Sequence, residues 1–135
     1  MPRRLYHPSR MNIFFDILGT LLDKDGNPRP HAREVLLKLA GTGHGVYLWS
    51  TAGGGYAAQA AWTLGVEDAI SGCCLKHHPP EGVAVHYTVD DDEGVVEEYG
   101  GYLVAPYDGN PWDSELLGVL DAIEALQQSQ GDQCV

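Results

Sequence analysis

The run FFDILGTLL, residues 14–22, decides how this chain folds. Apolar residues lead up to Asp16, and a Gly-Thr pair, Gly19 and Thr20, follows three residues later. An unbroken apolar run of this length reads as a strand buried on both faces. The carboxylate at its end and the sharp turn after it mark where the chain leaves the sheet. NIFFDI, from Asn12, is therefore read as the first strand.

The same rhythm continues outward. LLDKDGNPRP (residues 21–30), rich in Asp, Gly and Pro, predicts a turn or small hairpin. PHAREVLLKL (30–39) places Val35, Leu36 and Leu39 on one helical face, and GTGHG ends that helix. VYLWS (46–50) reads as a second strand, and the alanine-rich stretch before Gly65 as a second helix. DAISGCCL predicts a short third strand or a turn, GVAVHYTV a fourth strand, and YLVAP a fifth, with one short helix between the last two. DSELLGVLDAIEALQQ predicts a closing helix capped by Asp113 or Ser114. Strand and helix in alternation imply an α/β, Rossmann-like parallel sheet of about five strands with helices on both faces.

Bulk properties narrow the function. A chain of 135 residues fits one domain, expected over residues 11–130, with residues 1–10 as a flexible extension. The net charge of −11 argues against nucleic acid and anionic membrane as partners, since both demand clustered cations. No apolar run is long enough to span a bilayer. Three cysteines, Cys73, Cys74 and Cys134, make a poor disulfide framework and point to a reducing, cytoplasmic setting. CCLKHH holds zinc-ligand residue types without zinc-site spacing. Gly53, Gly54 and Gly55 lack the Gly-Lys-Ser/Thr of a nucleotide loop and are read as a turn. Trp49 and Trp62 are assigned to the core, and packing is also expected of Trp112.

In parallel sheets, ligands sit beyond the carboxyl ends of the strands. The polar residues at those ends are Asp16, Ser50, Thr51, Lys76, Asp90 and Asp91. Clustered carboxylates repel unless a cation joins them, and Mg²⁺ suits a few carboxylates plus water and phosphate. A hydroxyl and a lysine opposite would hold phosphate oxygens, and Asp16 is placed to attack phosphorus.

On these residues the chain resembles the haloacid dehalogenase-like (HAD) hydrolase superfamily. FFDILGTLL is similar to its first motif, VYLWST to its second, LKHHPP to its lysine motif and VHYTVDDD to its acidic motif, all in order. The resemblance implies that Asp16 is nucleophile and metal ligand, with the Leu18 carbonyl as a second ligand. Ser50, or Thr51 beside it, would hold the phosphoryl group, Lys76 would balance charge, and Asp90 with Asp91 would complete the Mg²⁺ shell. The partner expected is a phosphorylated substrate, small or macromolecular, with an oligomer or a partner protein as a further expectation for an uncapped site.

Leu18 departs from that pattern. Family phosphatases carry an aspartate there, which protonates the leaving oxygen; losing such a group costs about 10²–10⁴-fold. His77 and His78 are the nearby candidates for a replacement proton donor. Nor is there length for a cap domain, either before the first helix or between Thr63 and Lys76. The expectation is a capless Mg²⁺-dependent phosphohydrolase. The alternative is a HAD-fold regulatory protein that binds metal and phosphate without useful turnover. Dehalogenase or phosphonatase chemistry shares the non-acidic residue but fits badly with an uncapped, wet site.

Overall fold

The computed structural model describes residues 9–133. The strands are β1 (Asn12–Phe15), β2 (Gly45–Ser50), β3 (Gly72–Leu75), β4 (Tyr87–Asp90) and β5 (Gly101–Leu103). They form one all-parallel sheet in the order β3-β2-β1-β4-β5. The helices are α1 (Ala32–Gly41), α2 (Gly54–Leu64), α3 (Glu93–Tyr99) and α4 (Glu115–Gln133). No further domain is inserted, and no helix among the described residues is long and apolar enough to cross a membrane.

The strand period of two divides the core into two layers. Ile13 and Phe15, Val46 and Leu48, and Tyr87 and Val89 pack with α1, α2 and α4 through Leu36, Leu64 and Leu116. Phe14, Tyr47 and Trp49 belong to the second layer, with Val95 of α3. There Phe14 stacks on Tyr47 and tilts against Trp49, each with ring centroids 4.6 Å apart. Full burial of each large apolar side chain contributes roughly 1.5–3 kcal/mol, so the two layers dominate stability. Right-handed crossovers account for α1 and α2 sharing one layer while α3, in the oppositely directed half of the sheet, lies on the other.

Several expectations need correction. Ladder pairing of the first strand stops at Phe15, although the Asp16 amide still donates to the Val89 carbonyl at 3.0 Å. The fourth strand begins only at Tyr87; Val83 and Val85 instead pack on the aromatic layer. YLVAP pairs only through Leu103. Trp62 is not core: it lies on the outer side of α2 with 72 % of its surface exposed, and Trp112 is 87 % exposed. Buried positions on α2 are Ala57, Ala60, Ala61 and Leu64, a helical stripe from which position 62 points away.

Of the expected extension, residues 1–8 lie outside the described residues, as does Cys134. Ser9 and Arg10 are tied in: the Ser9 carbonyl accepts from Gln127 Nε2 at 2.6 Å, and Arg10 Nη1 donates to Asn12 Oδ1 at 3.1 Å. Cys73 and Cys74 are free thiols on β3.

Candidate metal centre

The strand order reverses between β1 and β4, and the chain opens a crevice at their carboxyl ends. Phe15 pairs with Val89, so Asp16 and Asp90 come level one residue further on. Asp91 follows on the turn into α3. One ligand atom from each of these three aspartates lies within 4.8 Å of the others, a group that could hold a metal ion.

Lys76 reaches the cluster from the end of β3, where its amide donates to the Ser50 carbonyl at 3.0 Å. Its Nζ stands 3.3 Å from Asp16 Oδ1 and 2.8 Å from Asp90 Oδ2. Asp90 is fully buried, and its Oδ2 has no well-directed hydrogen bond; the close lysine charge is its compensation. Asp90 Oδ1 accepts the Asp92 amide at 2.9 Å, which fixes the carboxylate plane. With three carboxylates and one ammonium ionised, an excess of two negative charges remains. Oxygen donors with that deficit suit a hard divalent cation.

Burial pushes the Asp16 carboxyl up to about 7; the Asp90 charge adds to the rise, Lys76 opposes it and Asp91 adds again. Asp90 is also raised, chiefly by burial, against the pull of Lys76. Burial disfavours the charge on Lys76, but Asp90 and Asp16 outweigh it and hold the ammonium above its usual value.

Two further features come from the Gly-Thr pair. Thr20, fully buried, donates its hydroxyl to Asp16 Oδ2 at 3.3 Å and so fixes the oxygen that Lys76 does not touch. Gly19 has φ +84°, which favours glycine, and a Cβ there would lie 2.4 Å from Asp91 Oδ2, so a side chain would displace that carboxylate. Leu18, just before the pair, is 55 % exposed at the rim. Its neighbours are pinned by Leu22, whose carbonyl takes the Gly19 amide and whose amide reaches the Ile17 carbonyl.

Ser50, Thr51, Tyr56 and Lys76 join Asp16, Leu18 and Asp91 around an open cleft of about 470 Å³. Ser50 is buried, and its Oγ accepts the Ala52 amide at 3.0 Å, which leaves the hydroxyl proton free to donate. Thr51 is exposed on the same rim. His77 points elsewhere: its Nδ1 meets the Tyr99 hydroxyl at 2.9 Å and Glu98 at 3.5 Å. His78 is exposed and does not line the cleft.

A buried support lay beyond sequence reading. Arg29 forks onto Asp113 with Nε–Oδ1 at 2.9 Å and Nη2–Oδ2 at 3.0 Å. It also donates to the carbonyls of Gly19, Thr20 and Ala105. The Gly19 carbonyl further accepts the Tyr107 amide at 2.8 Å. The turn that carries Leu18 and Gly19 is thus clamped from behind. The only hint in the sequence was a lone arginine in a turn otherwise rich in Asp, Gly and Pro. No protein-family model matches the chain and no curated protein matches it.

Proposed function

We propose that this protein is a capless, HAD-like, Mg²⁺-dependent phosphohydrolase that works through an aspartyl-phosphate on Asp16. The observation that carries the reading is the Lys76 ammonium between Asp16 and Asp90, with Asp91 completing a carboxylate triad at the switch point of the sheet. Asp16, Asp90 and Asp91 would hold the ion, with the Leu18 carbonyl as a further oxygen donor. Mg²⁺, when bound, supplies positive charge to the carboxylates and to the phosphoryl oxygens.

The residues then divide the work. A carboxylate oxygen of Asp16 attacks phosphorus; the bond to the leaving oxygen breaks, and its electron pair stays on that oxygen. Thr20 and Lys76 hold the carboxylate in place during attack. The free Ser50 hydroxyl proton is positioned to donate to a phosphoryl oxygen, with Thr51 beside it. Water then attacks the acyl phosphate, which releases inorganic phosphate and restores Asp16. Leu18 neither protonates the departing oxygen nor activates the water. The reading therefore favours leaving groups that depart as anions, such as those of acyl and aryl phosphates.

The test is phosphate release from acetyl phosphate and p-nitrophenyl phosphate, with and without Mg²⁺, beside Asp16→Asn. Metal-dependent release that vanishes in Asp16→Asn is expected. Release that persists in that variant sinks the mechanism. The exposed leucine at a proton-transfer position favours a second reading, a metal- and phosphate-binding regulatory protein. Mg²⁺ binding with no release from either substrate would select it.

A further inference from the structure

Tyr56 lies at the junction of two hollows. One is the cleft that holds Asp16, Leu18 and Lys76; the other is a groove of about 140 Å³ between the β1–α1 turn and α2. The groove is lined by Leu22 and Gly26 on one side and by Tyr56, Gln59, Ala60 and Thr63 on the other. None of these six is charged, on a chain whose net charge is −11. Leu18 and Leu22 are bridged through the backbone, so an apolar edge runs from the carboxylates into the groove. Gly26, at φ +82°, has no atom within 4 Å of where a Cβ would stand, which leaves the groove open at that end.

From this geometry we infer that the groove receives the leaving group of the phosphate ester, and that this group is an uncharged aromatic. The inference rests on the phosphohydrolase reading above. Two independent observations converge on it. The lining offers the Tyr56 ring, the Leu22 side chain and amide or hydroxyl groups, but no ion to pair with a charged sugar acid, a nucleotide phosphate or an amine. A charged group there would find no counter-ion in the lining, whereas an aromatic ring against Tyr56 is favoured. The chemistry agrees: with Leu18 giving no proton, the P–O bond must break with its electron pair on an oxygen that tolerates it. A phenol, with a pKa of about 10, does so far better than an alkyl alcohol near the value of water, about 16. Asp92, the remaining carboxylate of the cleft, caps α3 through the Gly94 amide.

Binding separates the groove from the phosphoryl site. The probes are methylphosphonate and 1-naphthylmethylphosphonate, neither hydrolysable, titrated calorimetrically into the wild-type protein with Mg²⁺. The naphthyl compound is expected to bind at least about tenfold more tightly. Tyr56→Ala and Gln59→Glu, the second on an exposed position of α2 where folding is least at risk, are each expected to remove most of that advantage. Equal affinity for the two probes, or an advantage kept in both variants, overturns the groove while leaving the phosphoryl site standing. Failure of both probes to bind overturns the phosphoryl site, and the groove with it.

Discussion

Leu18 sits beside three carboxylates with 55 % of its surface exposed, yet it can neither give nor take a proton. On the phosphohydrolase proposal, a carboxyl there would supply a proton donor for the leaving oxygen. Leu18→Asp is expected to raise turnover of an alkyl phosphate by about 10²-fold or more, with a smaller gain for acetyl phosphate, whose leaving group needs little help. Initial rates on the two substrates, compared between variant and wild type, check this; equal gains on both would speak against a proton-transfer role. The residues of the centre were legible because each stands at a strand end, where an apolar run stops on a polar side chain. Thr20 was legible only as part of a motif, because its bond to Asp16 needs the turn in three dimensions. Trp62 was misread for a related reason. In an alanine-rich helix both sides look apolar, and only the stripe at 57, 60, 61 and 64 tells which side is covered.

At the scale of elements, the turn after β1 depends on a partner 84 residues away. Arg29 is 1 % exposed and holds Asp113 with two bonds while it satisfies the carbonyls of Gly19, Thr20 and Ala105. The Asp113 carboxylate also accepts the Glu115 amide at the start of α4, so one ion pair joins the turn beside the carboxylate triad to the final helix. Arg29→Met should destabilise the fold by about 3–5 kcal/mol, since it strands a carboxylate and several carbonyls. Arg29→Lys should recover little, because an ammonium cannot reproduce the fork. Urea denaturation of the three proteins measures both effects. Alternation of strands and helices was plain in the sequence, since it needs only local periodicity. The late start of β4 was not: Val83 and Val85 have strand-forming side chains, but the aromatic layer claims them before the ladder can. For the Arg29–Asp113 pair the lone arginine in its turn was a local hint, but the choice of Asp113 among many acids is long-range and left none.

Across the whole molecule, the two ends of the sheet respond to pH in opposite directions. At the amino end, His44 Nδ1 accepts the Met11 amide at 3.0 Å and His86 Nδ1 accepts the Asn12 amide at 2.9 Å, bonds that need unprotonated nitrogens. Burial lowers the pKa of His44 from its usual value near 6.5, with the Arg10 charge acting in the same direction. Lys38 and Glu124 line the same hollow, and Gln127 meets His44 Nε2 at 3.2 Å. A group with a lowered folded pKa binds more protons when unfolded, so its contribution is present above about pH 6.5 and is lost as pH falls through the folded value. At the carboxyl end the sign reverses. Asp16 titrates near 7 in the folded protein and at 3.8 unfolded, so without metal its contribution is present below about pH 4 and is lost as pH rises toward 7. Metal-free protein is thus pressed from both sides and should be most stable on the acidic side of neutrality. A divalent ion in the carboxylate triad removes the alkaline penalty and binds only the folded state. Thermal melts from pH 5 to 9 should therefore show Mg²⁺ raising Tm strongly at pH 8 and little at pH 5, moving the optimum upward. Asp16→Asn should reproduce part of that gain at pH 8 without metal, because it removes a negative charge that is disfavoured by burial and by the neighbouring Asp90. Melts in which Mg²⁺ has the same effect at both ends of the range would mean that the ion is not bound by the titrating triad.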